Sequence, residues 1–96
     1  MSQVFRALAD PTRRRILELL RDRDMSAGEL AAEFPLAKAT LSRHFSVLRE
    51  AELIHGDRRG TSIVYQLNVS VLEEALLEFM SRLSIDRRDP QETDDE

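Results

Sequence analysis

Lys38, Thr40, Ser42 and Arg43 fall within six consecutive positions of the sequence, and all four residue types can hydrogen-bond nucleic acid. Lysine and arginine neutralise phosphate, and hydroxyls bond phosphate oxygens or base edges. Arginine adds a planar fork whose donors match O6 and N7 of guanine in a major groove, which makes Arg43 the candidate base reader. Thr40 sits on the flank, where phosphate is the nearer target. His44 lies closer to an apolar stripe. A packed or phosphate-bonded imidazole fits that place better than a base reader or a metal ligand. Two further cations, Arg58 and Arg59, stand between Gly56 and Gly60, with Thr61 next in the chain. An ordinary solvated helix or turn could use the same residues, so the elements that carry them decide the reading.

The four residues open a segment, 38 to 50, in which Leu41, Phe45 and Leu48 recur at helical spacing on one face. A helix with one apolar side and one cationic, hydroxyl-rich side is shaped to lie in a major groove. The segment before it begins with Ser26 and Glu29, the spacing of a capping box, and carries Leu30 and Phe34 as apolar anchors. Pro35 should stop it, because proline restricts the preceding residue. Only Pro35, Leu36 and Ala37 then separate two helices, the arrangement of a helix-turn-helix, with Leu36 expected to fill the space between them.

The flanking segments complete the fold. Val4, Phe5 and Leu8 predict a short first helix. Asp10 then caps a second, with Pro11 at its first position, where a missing N–H costs nothing. Ile16, Leu17 and Leu20 form its buried stripe, and residues 21–24 read as a polar loop. After Ile54 the period changes to two: Ile63, Tyr65 and Leu67 alternate with Ser62, Val64 and Gln66. Residues 56–61 between the two apolar segments form a hairpin tip, a wing that carries Arg58 and Arg59 toward a minor groove or backbone. A last helix starts at Asn68 or Ser70, the latter forming a second capping box with Glu73. Its stripe of Leu72, Leu76, Phe79 and Leu83, widened by Val71, Ala75 and Met80, is broader than so small a core needs.

Composition narrows the classes. The chain has 96 residues, enough for one domain, and would bury only roughly 60–65% of its unfolded surface, so a dimer interface would help. It has 18 acids against 14 bases. Six acids and two arginines lie in residues 86–96, which leaves 12 of each sign in the body and all of the net −4 in the tail. Local basic surface is what DNA binding needs. The expected organisation is a domain over 1–85 and a disordered acidic tail over 86–96. That tail is either a solubility segment or a competitor of DNA for the basic face. There is no cysteine and there are only two histidines, His44 and His55, so no metal site, catalytic site or cofactor is expected. The three glycines are scattered, which removes a phosphate-cradling loop. No apolar run reaches the roughly 18–20 residues that span a bilayer, and no signal peptide is legible, so a cytoplasmic protein that is not an enzyme is expected. Arg13, Arg14 and Arg15 occupy a helix's first turn, where cations are disfavoured. Ion pairs with Glu18, Glu73 or Glu74 would compensate, and phosphate contact is the alternative.

The blocks Leu8-Ala-Asp-Pro-Thr-Arg13 with Ile16-Leu17, Thr40-Leu-Ser42, His44, Leu48, Ala51, Leu53-Ile54, Gly60 and Tyr65-Gln-Leu67 resemble the ArsR/SmtB-type winged-helix repressors over about residues 3 to 83. Within that family the chain is similar to the metal-independent autorepressors. The resemblance implies a mainly helical winged helix-turn-helix of order α-α-α-α-β-β-α. It also implies a homodimer through the first and last helices, with Val4, Phe5, Leu8, Leu72, Leu76, Phe79, Met80 and Leu83 at the interface. The function implied is repression, by occupying a promoter operator. The chain departs from the family pattern at Glu52, where glycine is usual; a position needing positive φ would make glutamate cost about 1 kcal/mol. Ala37 replaces the usual serine at the head of the recognition helix, and Phe45 the usual leucine. The reading is a sequence-specific DNA-binding repressor of a palindromic operator, on its own or a neighbouring operon. Its rival is a winged-helix module whose last helix docks another, regulatory, protein.

Overall fold

The computed structural model describes residues 2–84, so the expected acidic tail and the domain boundary at 85 lie outside the described residues. The elements run α1 (Ser2–Leu8), α2 (Pro11–Asp22), β1 (Met25–Ser26), α3 (Ala27–Ala31), α4 (Lys38–Glu50), β2 (Ile54–Arg59), β3 (Ser62–Leu67) and α5 (Val69–Arg82). The three strands form one antiparallel sheet in the order β1-β3-β2.

The strand β1 corrects the expected element order. Two residues are too few to show a period, and the polar stretch before them reads as loop. Met25 nevertheless pairs with Tyr65 and Ser26 with Val64, and Met25 is buried. Gln66 holds the neighbouring turn by donating to the Asp24 carboxylate at 2.9 Å.

Local signals explain most helix ends. The Asp10 carboxylate accepts the Arg13 backbone N–H at 3.1 Å, with Pro11 at the first helical position. Ser26 and Glu29 form a complete capping box, at 3.0 and 2.8 Å. The Ser26 backbone N–H, helped by the Arg23 guanidinium, holds the Glu29 carboxyl below its ordinary range. The second expected box does not form. Asn68 is the cap of α5, and the Ser70 hydroxyl donates to its side chain at 3.1 Å instead of engaging Glu73.

The turn between α3 and α4 is longer than the proline predicts, running from Ala32 to Ala37. Proline acts backwards on Phe34, and the last turn tightens early. Glu33 donates to Leu30 and Phe34 to Ala31, at 3.0 and 3.3 Å. Leu36 is 39% exposed and does not fill the space between the helices. The large side chains that are fully buried are instead Ile16, Leu30, Leu41, Leu48, Leu53 and Ile54. Burying such a side chain contributes about 1.5–3 kcal/mol, so these six hold α2, α3, α4 and β2 on one core.

Candidate nucleic-acid interface

Helix α4 separates its two faces cleanly. Leu41, Phe45 and Leu48 are buried, while Lys38, Thr40, Ser42 and Arg43 are exposed. The Phe45 ring packs on Tyr65 of β3 with centroids 4.9 Å apart, which seats the helix on the sheet. The wing uses the same anchor. A Cβ at Gly56 would stand 2.8 Å from the Ile63 side chain and 3.1 Å from the Tyr65 ring, so only glycine lets β2 pass so close. Helix and wing are thereby registered against one tyrosine.

Both ends of α4 carry the features its sequence departures foretell. Ala37 makes no side-chain cap hydrogen bond. Glu52 has φ 62°, the left-handed region. Leu53 donates to Leu48 at 3.0 Å and Glu52 to Arg49 at 2.9 Å, the two bonds of a Schellman motif that closes the helix and turns the chain into β2.

The wing differs in detail from the expected tip over 56–61. Pairing continues through Arg58↔Ile63 and Arg59↔Ser62, leaving only Gly60 and Thr61 in the loop. Gly60 has φ +64° and Thr61 is not left-handed, the sign pattern of a II′ turn. Arg58 and Arg59 therefore sit on successive strand positions and face opposite sides. Arg59 pairs with Asp57 at 3.3 Å. Among the described residues, Lys38, Arg43 and Arg58 have no ion pair or side-chain hydrogen bond recorded.

His44 stands apart from the exposed set. Its side chain is 15% exposed, with Nδ1 3.1 Å from Arg13 Nη1 and 3.9 Å from Asp10 Oδ2. Burial pushes the Asp10 carboxyl up. The backbone N–H of Arg13, the neighbouring His44 ring, the Arg13 guanidinium and the N–H of Thr12 together outweigh that and hold it low.

The first-turn arginines of α2 solve their electrostatic problem in a way sequence reasoning missed. Arg13 donates to the carbonyls of Ala7 and Arg6, at 2.9 and 3.0 Å, and Arg14 to that of Leu8 at 2.7 Å. These carbonyls lie in the last turn of α1, at its negative end, a natural partner for cations, and that of Arg6 also accepts the Ala9 N–H at 3.3 Å. Among the described residues only Arg15 of the three takes an acid with its side chain, Glu18 at 3.3 Å. The available signal was three cations placed where the helix they begin disfavours them.

Helix α1 packs on α5 through Phe5 and Phe79, with ring centroids 5.2 Å apart. Leu76, Phe79, Met80 and Leu83 remain 41, 44, 37 and 53% exposed, while Phe5, Leu8 and Leu72 are half-buried. Val4, at 5%, belongs to the chain's own core. Among the described residues no three His, Cys, Asp or Glu side chains gather as a metal site, and no helix is long and apolar enough to cross a membrane.

Residues 8–57 match a helix-turn-helix domain family. The transcriptional repressor SdpR of Bacillus subtilis (strain 168) is 45% identical over 76 residues, which span 79% of this chain and 84% of that protein. The crystal structure of an ArsR family transcriptional regulator superposes with a TM-score of 0.75 at 28% identity, covering 90% of this chain and 91% of that one. The chain belongs to the ArsR family. The structure of M. tuberculosis Rv0081 agrees, with a TM-score of 0.68 at 34% identity over 90% of each chain. As an ArsR-type winged-helix protein it is a DNA-binding transcriptional repressor, and the rival reading as a protein-docking module is not favoured. Its relatives are transcriptional regulators, a non-enzymatic class.

Proposed function

We propose that the chain acts as a homodimer on a palindromic operator, each subunit laying α4 in a major groove. Arg43 bonds a guanine edge, Ser42 a neighbouring base, and Lys38 and Thr40 the phosphates beside them. Arg58, Arg59 and Thr61 of the wing grip the flank. Phe5, Leu8, Leu72, Leu76, Phe79, Met80 and Leu83 form the interface with the second copy. Repression follows from occupancy: a dimer seated on the promoter of its own or a neighbouring operon excludes polymerase. No catalysis and no cofactor enter this reading, and its target places it with the chromosome in the cytoplasm.

One observation carries the reading. The exposed face of the second helix of the helix-turn-helix holds Lys38 and Arg43 with no recorded partner among the described residues, while its other face is bolted to the core by Leu41, Phe45 and Leu48. A gel-shift titration on the chain's own promoter tests it. Retardation that disappears in Lys38→Ala/Arg43→Ala supports the reading, and equal retardation by that double variant contradicts it.

A further inference from the structure

Arg13 uses every nitrogen of its guanidinium. Nε and Nη2 hold the Ala7 and Arg6 carbonyls at the end of α1, and Nη1 meets His44 Nδ1 on α4 at 3.1 Å. An arginine only donates, so Nδ1 accepts and the imidazole proton sits on Nε2. One planar group thus joins the helix on the dimer side to the helix that reads DNA. We propose that Arg13 is a positioning residue that fixes the angle of α4 against α1 through His44, and that protonation of His44 releases this lock. The inference rests on the dimeric, groove-reading function above.

The chemistry of the release is local. Protonated imidazole takes its second proton from solvent at Nδ1 and has no acceptor left. Its new N–H would then face a guanidinium. The nearby alternative is Asp10 Oδ2, 3.9 Å from Nδ1, a carboxylate that already accepts the Arg13 backbone N–H. The charged groups in reach of His44 Nδ1 among the described residues are Arg13 within α2 and Asp10 at its cap. Arg13 in turn holds the Ala7 and Arg6 carbonyls of α1. Among the described residues no other carboxylate, from β2 or elsewhere, lies within 4.0 Å of the ring. Such a switch acts on specific binding, because a palindrome is read only when both α4 helices are held at the right angle and spacing.

The test uses a palindrome selected from a random duplex library by the full chain, and a duplex carrying one of its half-sites. The ratio of the two affinities cancels the general effect of pH on DNA binding. The wild-type ratio should fall about tenfold or more between about pH 8 and about pH 5. His44→Asn keeps a neutral acceptor near Nδ1, so its ratio should stay high and flat. Arg13→Lys keeps the charge but cannot span both helices, so its ratio should be low and flat. His55→Asn should retain the wild-type profile. A wild-type preference for the palindrome that ignores pH overturns the lock alone, as does a His44→Asn profile that follows wild type. Absence of any wild-type preference overturns the dimeric reading and the lock with it.

Discussion

Arg43 stands on the exposed face of α4 with no recorded partner among the described residues, and its fixed fork suits one base. Arg43→Ala should cost about 1–3 kcal/mol on the selected operator and relax preference at a single base pair, as read from titrations of operators substituted one pair at a time. Glu52 makes a separate prediction. Its φ of 62° is a conformation that glycine adopts without strain, so Glu52→Gly should stabilise the fold by up to about 1 kcal/mol in urea unfolding. Asp10 sets a pH dependence. Its folded carboxyl is held below the ordinary range, so its stabilising effect is present above that range and is lost as pH falls through the folded value. Asp10→Ala should therefore cost about 1 kcal/mol near neutral pH, and the difference from wild type should shrink in acid. The residue scale is also where the sequence misled. Arg13 and Arg14 carry charges that suggest acidic partners, yet they take backbone carbonyls, which no side-chain pattern displays.

At the scale of elements, α4 was legible to the residue, because three signals agreed: an apolar stripe, a proline before it and a break in periodicity after it. The capping box of α3 was legible for the same reason. Its end was not, since tightened backbone bonds closed the helix at Ala31 before the proline was reached. Strand β1 was hidden because two residues gain their state from a partner about 40 positions away, Tyr65, rather than from their own pattern. The wing combines both cases. Its glycines were visible, but its pairing places Arg58 and Arg59 on opposite faces, which spacing alone did not reveal. Arg59 is engaged by Asp57, and Arg58 has no recorded partner among the described residues. Arg58→Ala should thus lower affinity equally on all sequences and reduce the slope of log K against log salt by about one. Gly60→Ala should cost about 1 kcal/mol of fold stability through its positive φ alone, since nothing lies within 4 Å of the added Cβ.

For the whole molecule, the breadth of the apolar stripe on α5 was readable in the sequence, and the exposure of Leu76, Phe79 and Leu83 locates what the core leaves uncovered. Phe5 on Phe79 shows that α1 and α5 form one continuous surface within the chain. Leu76→Glu combined with Leu83→Glu should give a folded monomer by sedimentation, because both side chains are exposed in the single chain and charge there burdens only an interface. That monomer should lose preference for a palindrome while retaining weak, salt-sensitive binding. The two predictions together separate reading from assembly. The central claim, a two-fold dimer reading DNA through α4, is tested most directly by sequencing duplexes that the full chain selects from a random library. The account predicts a palindrome whose half-site centres lie roughly 34–36 Å apart, one helical turn. Selection of no sequence above background, or of a motif without two-fold symmetry, would contradict it.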